Sequence, residues 1–148
     1  MASNPGRLLA MRRRQFTIAL KWLLAVSTAL VGVLHFTNPQ PFLDIMPPYL
    51  PYHLELVYIS GFFEIVGSIG LLVPMTQRAA AWGLIALFVA VYPANIHLAV
   101  NNPPMNGEIV PAWIRWGRLP VQFVFIYWAW IFTRNKTQTD DSESAATQ

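Results

Sequence analysis

No cysteine occurs anywhere in this chain of 148 residues. That excludes an intrachain disulfide, a thiolate-ligated metal and a thiol relay as working parts. Charge is scarce as well. Asp, Glu, Lys and Arg make up 11% of the residues, against about 25% in a soluble domain. Acidic groups are the rarest: of seven, Asp140, Asp141 and Glu143 crowd into the final stretch. With Asp44 the only other Asp and no nucleophile elbow, a Ser-His-Asp hydrolase is unsupported. No third ligand of suitable type joins the histidines, so no metal site is expected.

Apolar residues fill the space that charge leaves. They account for 55% of the chain, with 14% aromatics and six Trp. Continuous apolar stretches run over 16–36, 53–73, 79–100 and 112–133. Each is close to the roughly 20 residues a helix needs to cross the hydrocarbon core. The runs are continuous rather than alternating, which argues against a barrel. The expected fold is therefore an all-α membrane protein, an antiparallel four-transmembrane-helix bundle. Lys21 interrupts the first run near its start, where it snorkels to head groups. Pro74 closes the second. The fourth is the least uniform, and Pro120 falls in it as a kink or near a helix start.

The sequence pI of about 9.6 reflects topology rather than nucleic-acid binding, because the basic residues flank the apolar runs. Arg7, Arg12, Arg13, Arg14, Arg78, Arg134 and Lys136 fall on one side, and Arg115 and Arg118 on the other. The positive-inside rule then puts both termini in the cytoplasm. The organisation expected is a basic N-terminal tail (1–15), a transmembrane domain (16–134) and a disordered C-terminal tail (135–148). Arg13-Arg14-Gln15-Phe16 resembles a twin-arginine export signal, but the apolar run continues well past Ser27 and three more follow. A signal anchor is the favoured reading.

The outer loop, 37–52, holds Pro39, Pro41, Pro47, Pro48 and Pro51, which forbid a long helix. It also holds Phe42, Leu43, Ile45, Met46, Tyr49 and Leu50. A solvated loop would not carry so many apolar groups, so this Pro-rich segment lies in the membrane interface or caps the bundle mouth.

Glu64 is the only charge in the central part of the second run. A carboxylate there costs roughly 2.5–3.5 kcal/mol on insertion scales unless it faces protein, water or a partner. Ser60, Gly61, Glu64, Gly67 and Ser68 share one helical face, and its small residues permit close helix approach. His35, Asn95, His97 and Arg118 lie toward the outer ends of the other runs, with Gln122 one turn beyond Arg118. A buried cluster of His35, Glu64, Asn95 and Arg118 is expected, with Gln122 and His97 nearby and Glu64 paired to Arg118. Pro93 leaves the Val89 carbonyl without its helical donor, a free acceptor for a neighbour. The plain reading of the same cluster is polar glue between helices. Haem ligation by His35 and His97 is not favoured, since their spacing is not diagnostic.

Several motifs in order resemble the DoxX family of small membrane proteins. They are Gly32-Val33-Leu34-His35-Phe36, Met46-Pro47-Pro48-Tyr49-Leu50-Pro51 and Ser60-Gly61-Phe62-Phe63-Glu64-Ile65, then Leu72-Val73-Pro74, Pro93-Ala94-Asn95-Ile96-His97 and Arg118-Leu119-Pro120-Val121-Gln122. The resemblance spans about 32–134. It implies a multi-pass, four-helix protein of the inner (plasma) membrane. It also implies association with an oxidoreductase, since the family is named for a subunit of a thiosulfate:quinone oxidoreductase. The thiol relays of related membrane proteins are out of reach here.

Three functions are expected to compete. The first is a redox-associated subunit binding a quinone head group, with Glu64 relaying a proton. The second is a small-solute or proton transporter, which with so few helices needs a homo-oligomer. The third is a scaffold for a partner oxidoreductase subunit.

Overall fold

The computed structural model describes residues 5–134, where the regular secondary structure is all α-helix apart from an isolated bridge between Met105 and Glu108. The elements are α1 (Pro5–Thr37), α2 (Gln40–Asp44), α3 (His53–Leu72), α4 (Gln77–Asn101) and α5 (Ala112–Ile131). The tail expected over 135–148 lies outside the described residues.

Three helices are long and apolar enough to cross a membrane, by length and composition: Gly6–Thr37, His53–Leu72 and Gln77–Asn101. α5 is not among them. It carries Arg115 and Arg118 in its first two turns and Pro120 in its interior. α1 differs from expectation at its start. The helix begins at Pro5, so Arg12, Arg13 and Arg14 belong to it rather than to a separate tail. Arg and Leu are good helix formers. At 33 residues α1 is about 50 Å long, well beyond the roughly 30 Å hydrocarbon core.

Prolines set the remaining boundaries. Pro39 stands at the N-cap and Pro41 in the first turn of α2, where no helical donor is lost, and Pro47 and Pro48 follow soon after its end. Val73 precedes Pro74 and is extended, with φ −85° and ψ 120°, which stops α3. Tyr52 and Asn102 adopt left-handed φ values of 57° and 47° where α3 starts and α4 ends.

The long helices pack in chain order, α1 on α3, α3 on α4 and α4 on α5, while α1 and α5 touch only slightly. At the end of the molecule that holds the 73–76 turn, an apolar core joins Leu24 of α1, Leu71 of α3, Leu84 and Phe88 of α4, Ala129 of α5 and Phe132 just after it. Large apolar side chains such as Leu30, Ile69, Trp82 and Phe123 remain exposed on the outer faces. Apolar surface of that extent marks contact with a membrane or a protein.

Two glycines set the α1–α3 distance. A Cβ on Gly61 would come within 2.5 Å of the His35 Cβ and 2.8 Å of the Gly32 carbonyl oxygen. A Cβ on Gly32 would meet the Gly61 carbonyl oxygen at 2.8 Å. Backbone lies on both sides, so neither position can yield cheaply. Gly61→Leu is therefore expected to destabilise the protein by about 1–3 kcal/mol or more through overpacking. Gly83→Leu, where an added Cβ meets nothing within 4 Å, serves as control. Thermal unfolding in detergent should show a lowered midpoint for the first and little change for the second. Equal behaviour would refute the close-approach account.

Candidate functional site

A cavity of about 520 Å³ lies among the four long helices at the end carrying α2. Its walls are largely apolar, with Val31, Phe42, Leu87, Val121 and Phe125 among them. Polar groups enter from every long helix: His35 from α1, Ser60 and Glu64 from α3, Asn95 from α4, and Arg118 and Gln122 from α5. His97 does not line this space. It is half-buried elsewhere on α4, and its Nδ1 is buried without a hydrogen-bond partner.

Helix periodicity puts Val57, Gly61, Glu64, Ser68 and Leu71 on the buried face of α3. Glu64 thereby points inward, and the Gly32–Gly61 contact brings the end of α1 against it. The His35 Nδ1 lies 3.4 Å from the Glu64 Oε2. This is an ion-pair distance and not a hydrogen bond. The same Nδ1 lies 2.8 Å from the Val31 carbonyl oxygen, which only accepts, so Nδ1 carries the hydrogen and directs it there. The Glu64 Oε2 is left buried with no hydrogen-bond partner. The His35 ring is further held by Phe42 of α2, stacked at 3.8 Å between centroids.

The facing wall is a chain of hydrogen bonds. The Arg118 Nε donates to the Asn95 Oδ1 at 3.1 Å. Asn95 Nδ2 donates to Gln122 Oε1, and Gln122 Nε2 donates to the Phe88 carbonyl. Sequence reasoning points to Val89 as the acceptor, because Pro93 removes its donor. Phe88 is used instead because it is buried, whereas Val89 sits on the exposed face of α4.

The expected Glu64–Arg118 pair does not form among the described residues. The two side chains belong to α3 and α5, which face each other across the cavity, and each is met first by a neighbour within its own half of the molecule. Sequence reasoning also missed two contributors. Thr28 lines the cavity while its Oγ1 donates to the Leu24 carbonyl at 2.8 Å. Phe42 is visible in the sequence only as one apolar residue of a Pro-rich loop. Among the described residues no group of three or more His, Asp or Glu could hold a metal ion.

No curated protein and no solved structure matches this chain. One family model does, over residues 24–133, and it is not that of the DoxX family. The resemblance drawn from the ordered motifs is thus overturned. Those motifs are short apolar stretches punctuated by Gly and Pro, residues that are frequent in transmembrane helices generally. All the polar residues of the cavity fall inside the matched segment. The chain belongs to the family described as Domain of unknown function (DUF8561).

Proposed function

We propose that this chain is a multi-pass protein of the inner (plasma) membrane that binds a small amphipathic molecule with a quinone-type head group in its intramembrane cavity. In this reading α5 is the fourth crossing and both termini are cytoplasmic. The distribution of Lys and Arg supports that orientation. Cation–π contact of Arg134 with Trp130, 3.9 Å from the ring centroid, fits an anchor at the inner interface.

The observation that carries the ligand reading is the opposition of two unlike walls across a cavity of ligand size. Small-molecule pockets run from about 300 to 1,000 Å³, mostly apolar with a few placed polar groups. Here Arg118 offers donors on one wall, and Glu64 offers an unpartnered acceptor on the other. A quinone-type ring carries carbonyl acceptors, and its reduced form carries hydroxyl donors. The reduced form satisfies both walls, one hydroxyl oxygen accepting from Arg118 and the other hydroxyl donating to Glu64, while the oxidised form accepts from Arg118 through a carbonyl. The activity consistent with this is that of a redox-associated membrane subunit. A transport pathway is less well supported, because the apolar core at the 73–76 end closes that side of the cavity.

Purification in mild detergent followed by mass spectrometry of the bound lipid fraction tests the reading. Quinone should co-purify with the wild type. Arg118→Ala and Glu64→Gln should each lower its affinity by about 10- to 100-fold, the value of a charge-assisted hydrogen bond. Undiminished quinone in both variants would count against the site. The orientation is checked separately. A fluorescent protein fused after Gln148 should fluoresce, and alkaline phosphatase inserted near Asn106 should be active. The reverse pattern would overturn the topology.

A further inference from the structure

The cavity is bounded above and below but not on its flanks. Its floor is the apolar core at the 73–76 end. Its roof is α2 and the segment after it: Phe42, Ile45, Met46 and Leu50 line the cavity, and none of them is exposed. The roof is tied to both halves of the molecule. Phe42 stacks on His35, and the Asn106 backbone N–H donates to the Asp44 Oδ2 at 2.8 Å. The His53 Nε2 lies 3.2 Å from the Pro47 carbonyl oxygen.

The flanks differ. Val31 of α1 and Val121 of α5 both line the cavity, yet they are 39% and 51% exposed. A residue that is at once cavity wall and outer surface marks a rim. Ile59 of α3, and Ala90 and Pro93 of α4, have the same dual character on the side of α3 and α4. There, however, α3 and α4 pack extensively, whereas α1 and α5 touch only slightly. The α1–α5 seam is therefore the flank with the least helix packing across it. Both of its rim residues lie within helices assigned above to the bilayer, so the seam faces acyl chains and not water.

We infer that the cavity is loaded from the lipid phase through the seam between α1 and α5, and that its ligand carries a hydrocarbon tail that lies in this seam past Val31 and Val121. The inference rests on the quinone-type head-group reading above and adds the tail and the route. A water-soluble solute meets the tied roof on one side and the packed core on the other. A tailed amphiphile meets neither, and its tail covers apolar surface that the fold leaves open.

The test uses the full chain in lipid nanodiscs, with a decyl-tailed benzoquinone and a tail-less benzoquinone as probes. The double variant Val31→Trp/Val121→Trp fills the seam, and Ile59→Trp is the control on the other flank. The double variant should bind the tailed probe about tenfold more weakly, the worth of roughly two buried methylenes, and the tail-less probe within about twofold of wild type. Ile59→Trp should change binding of the two probes to the same extent, because no tail lies on that flank. Unchanged binding of both probes by the double variant, equal loss of both, or selective loss in Ile59→Trp would each overturn the α1–α5 route while leaving the head-group site intact. Binding of neither probe by the wild type would instead remove the head-group reading. A second measurement needs no variant. A diazirine at the tail end of the probe should label α1 and α5 beside Val31 and Val121, and labelling confined to 42–50 would overturn the route.

Discussion

A carboxylate midway along an apolar helix must be kept from lipid, and here that constraint is met by backbone proximity. Glu64 turns inward because it shares a face with Gly61 and Ser68. Gly61 and Gly32 then let α1 approach so closely that no side chain intervenes. That approach carries His35 to within 3.4 Å of the carboxylate. The glycines, the acid and the histidine form one arrangement. Widening the helix spacing by a single side chain would withdraw the histidine and expose the acid to apolar surroundings, where a polar group without partners is costly.

The polar groups fall into two sets on two halves of the molecule, which are joined by extensive packing of α3 on α4. One half comprises α1, α2 and α3, and the other α4 and α5. Within the second half, Arg118, Asn95, Gln122 and the Phe88 carbonyl form a continuous donor-to-acceptor run. The amides do more than fill space. They hold the guanidinium through its ε-nitrogen, and Arg118 lines the cavity. Arg115, one turn earlier, bonds the Ala99 carbonyl at 3.2 Å and serves the same α4–α5 contact.

Much of this was readable from the residues alone, and what was not has identifiable causes. The apolar runs gave α3, α4 and α5 to within a few residues, since length and hydropathy are local properties. The inward direction of Glu64 followed from helical periodicity. Its partner did not, because pairing depends on which helices become neighbours and at what rotation, and one sequence does not fix either. The pairing of Glu64 with Arg118 assumed adjacency of α3 and α5, which lie across the cavity from each other. α1 extends beyond the apolar run because hydropathy marks the apolar part of a helix and not its polar extension. The family resemblance misled for a related reason. Gly, Pro and apolar residues in order are what any closely packed membrane helix bundle requires.

The placement of the polar groups also bears on whether they act merely as glue. Polar glue between helices is present within each half, α1 to α3 and α4 to α5, but glue alone gives no reason to leave the facing groups unjoined across the cavity. His35 and Glu64 meet within the first half, and Arg118, Asn95 and Gln122 bond within the second. Across the cavity itself these groups make no hydrogen bond or ion pair among the described residues. The halves are instead held by apolar packing at the 73–76 end and by contacts outside the cavity, such as Lys21 to Gln77 at 3.2 Å and Asn106 to Asp44. The acid on one wall and the guanidinium on the other thus contribute nothing to joining the walls, while both are costly to keep in an apolar setting. Local departures from stable packing of this kind are expected where a site serves binding. The same separation that denies these two groups each other leaves between them a space in which a third polar group can be recognised from both sides.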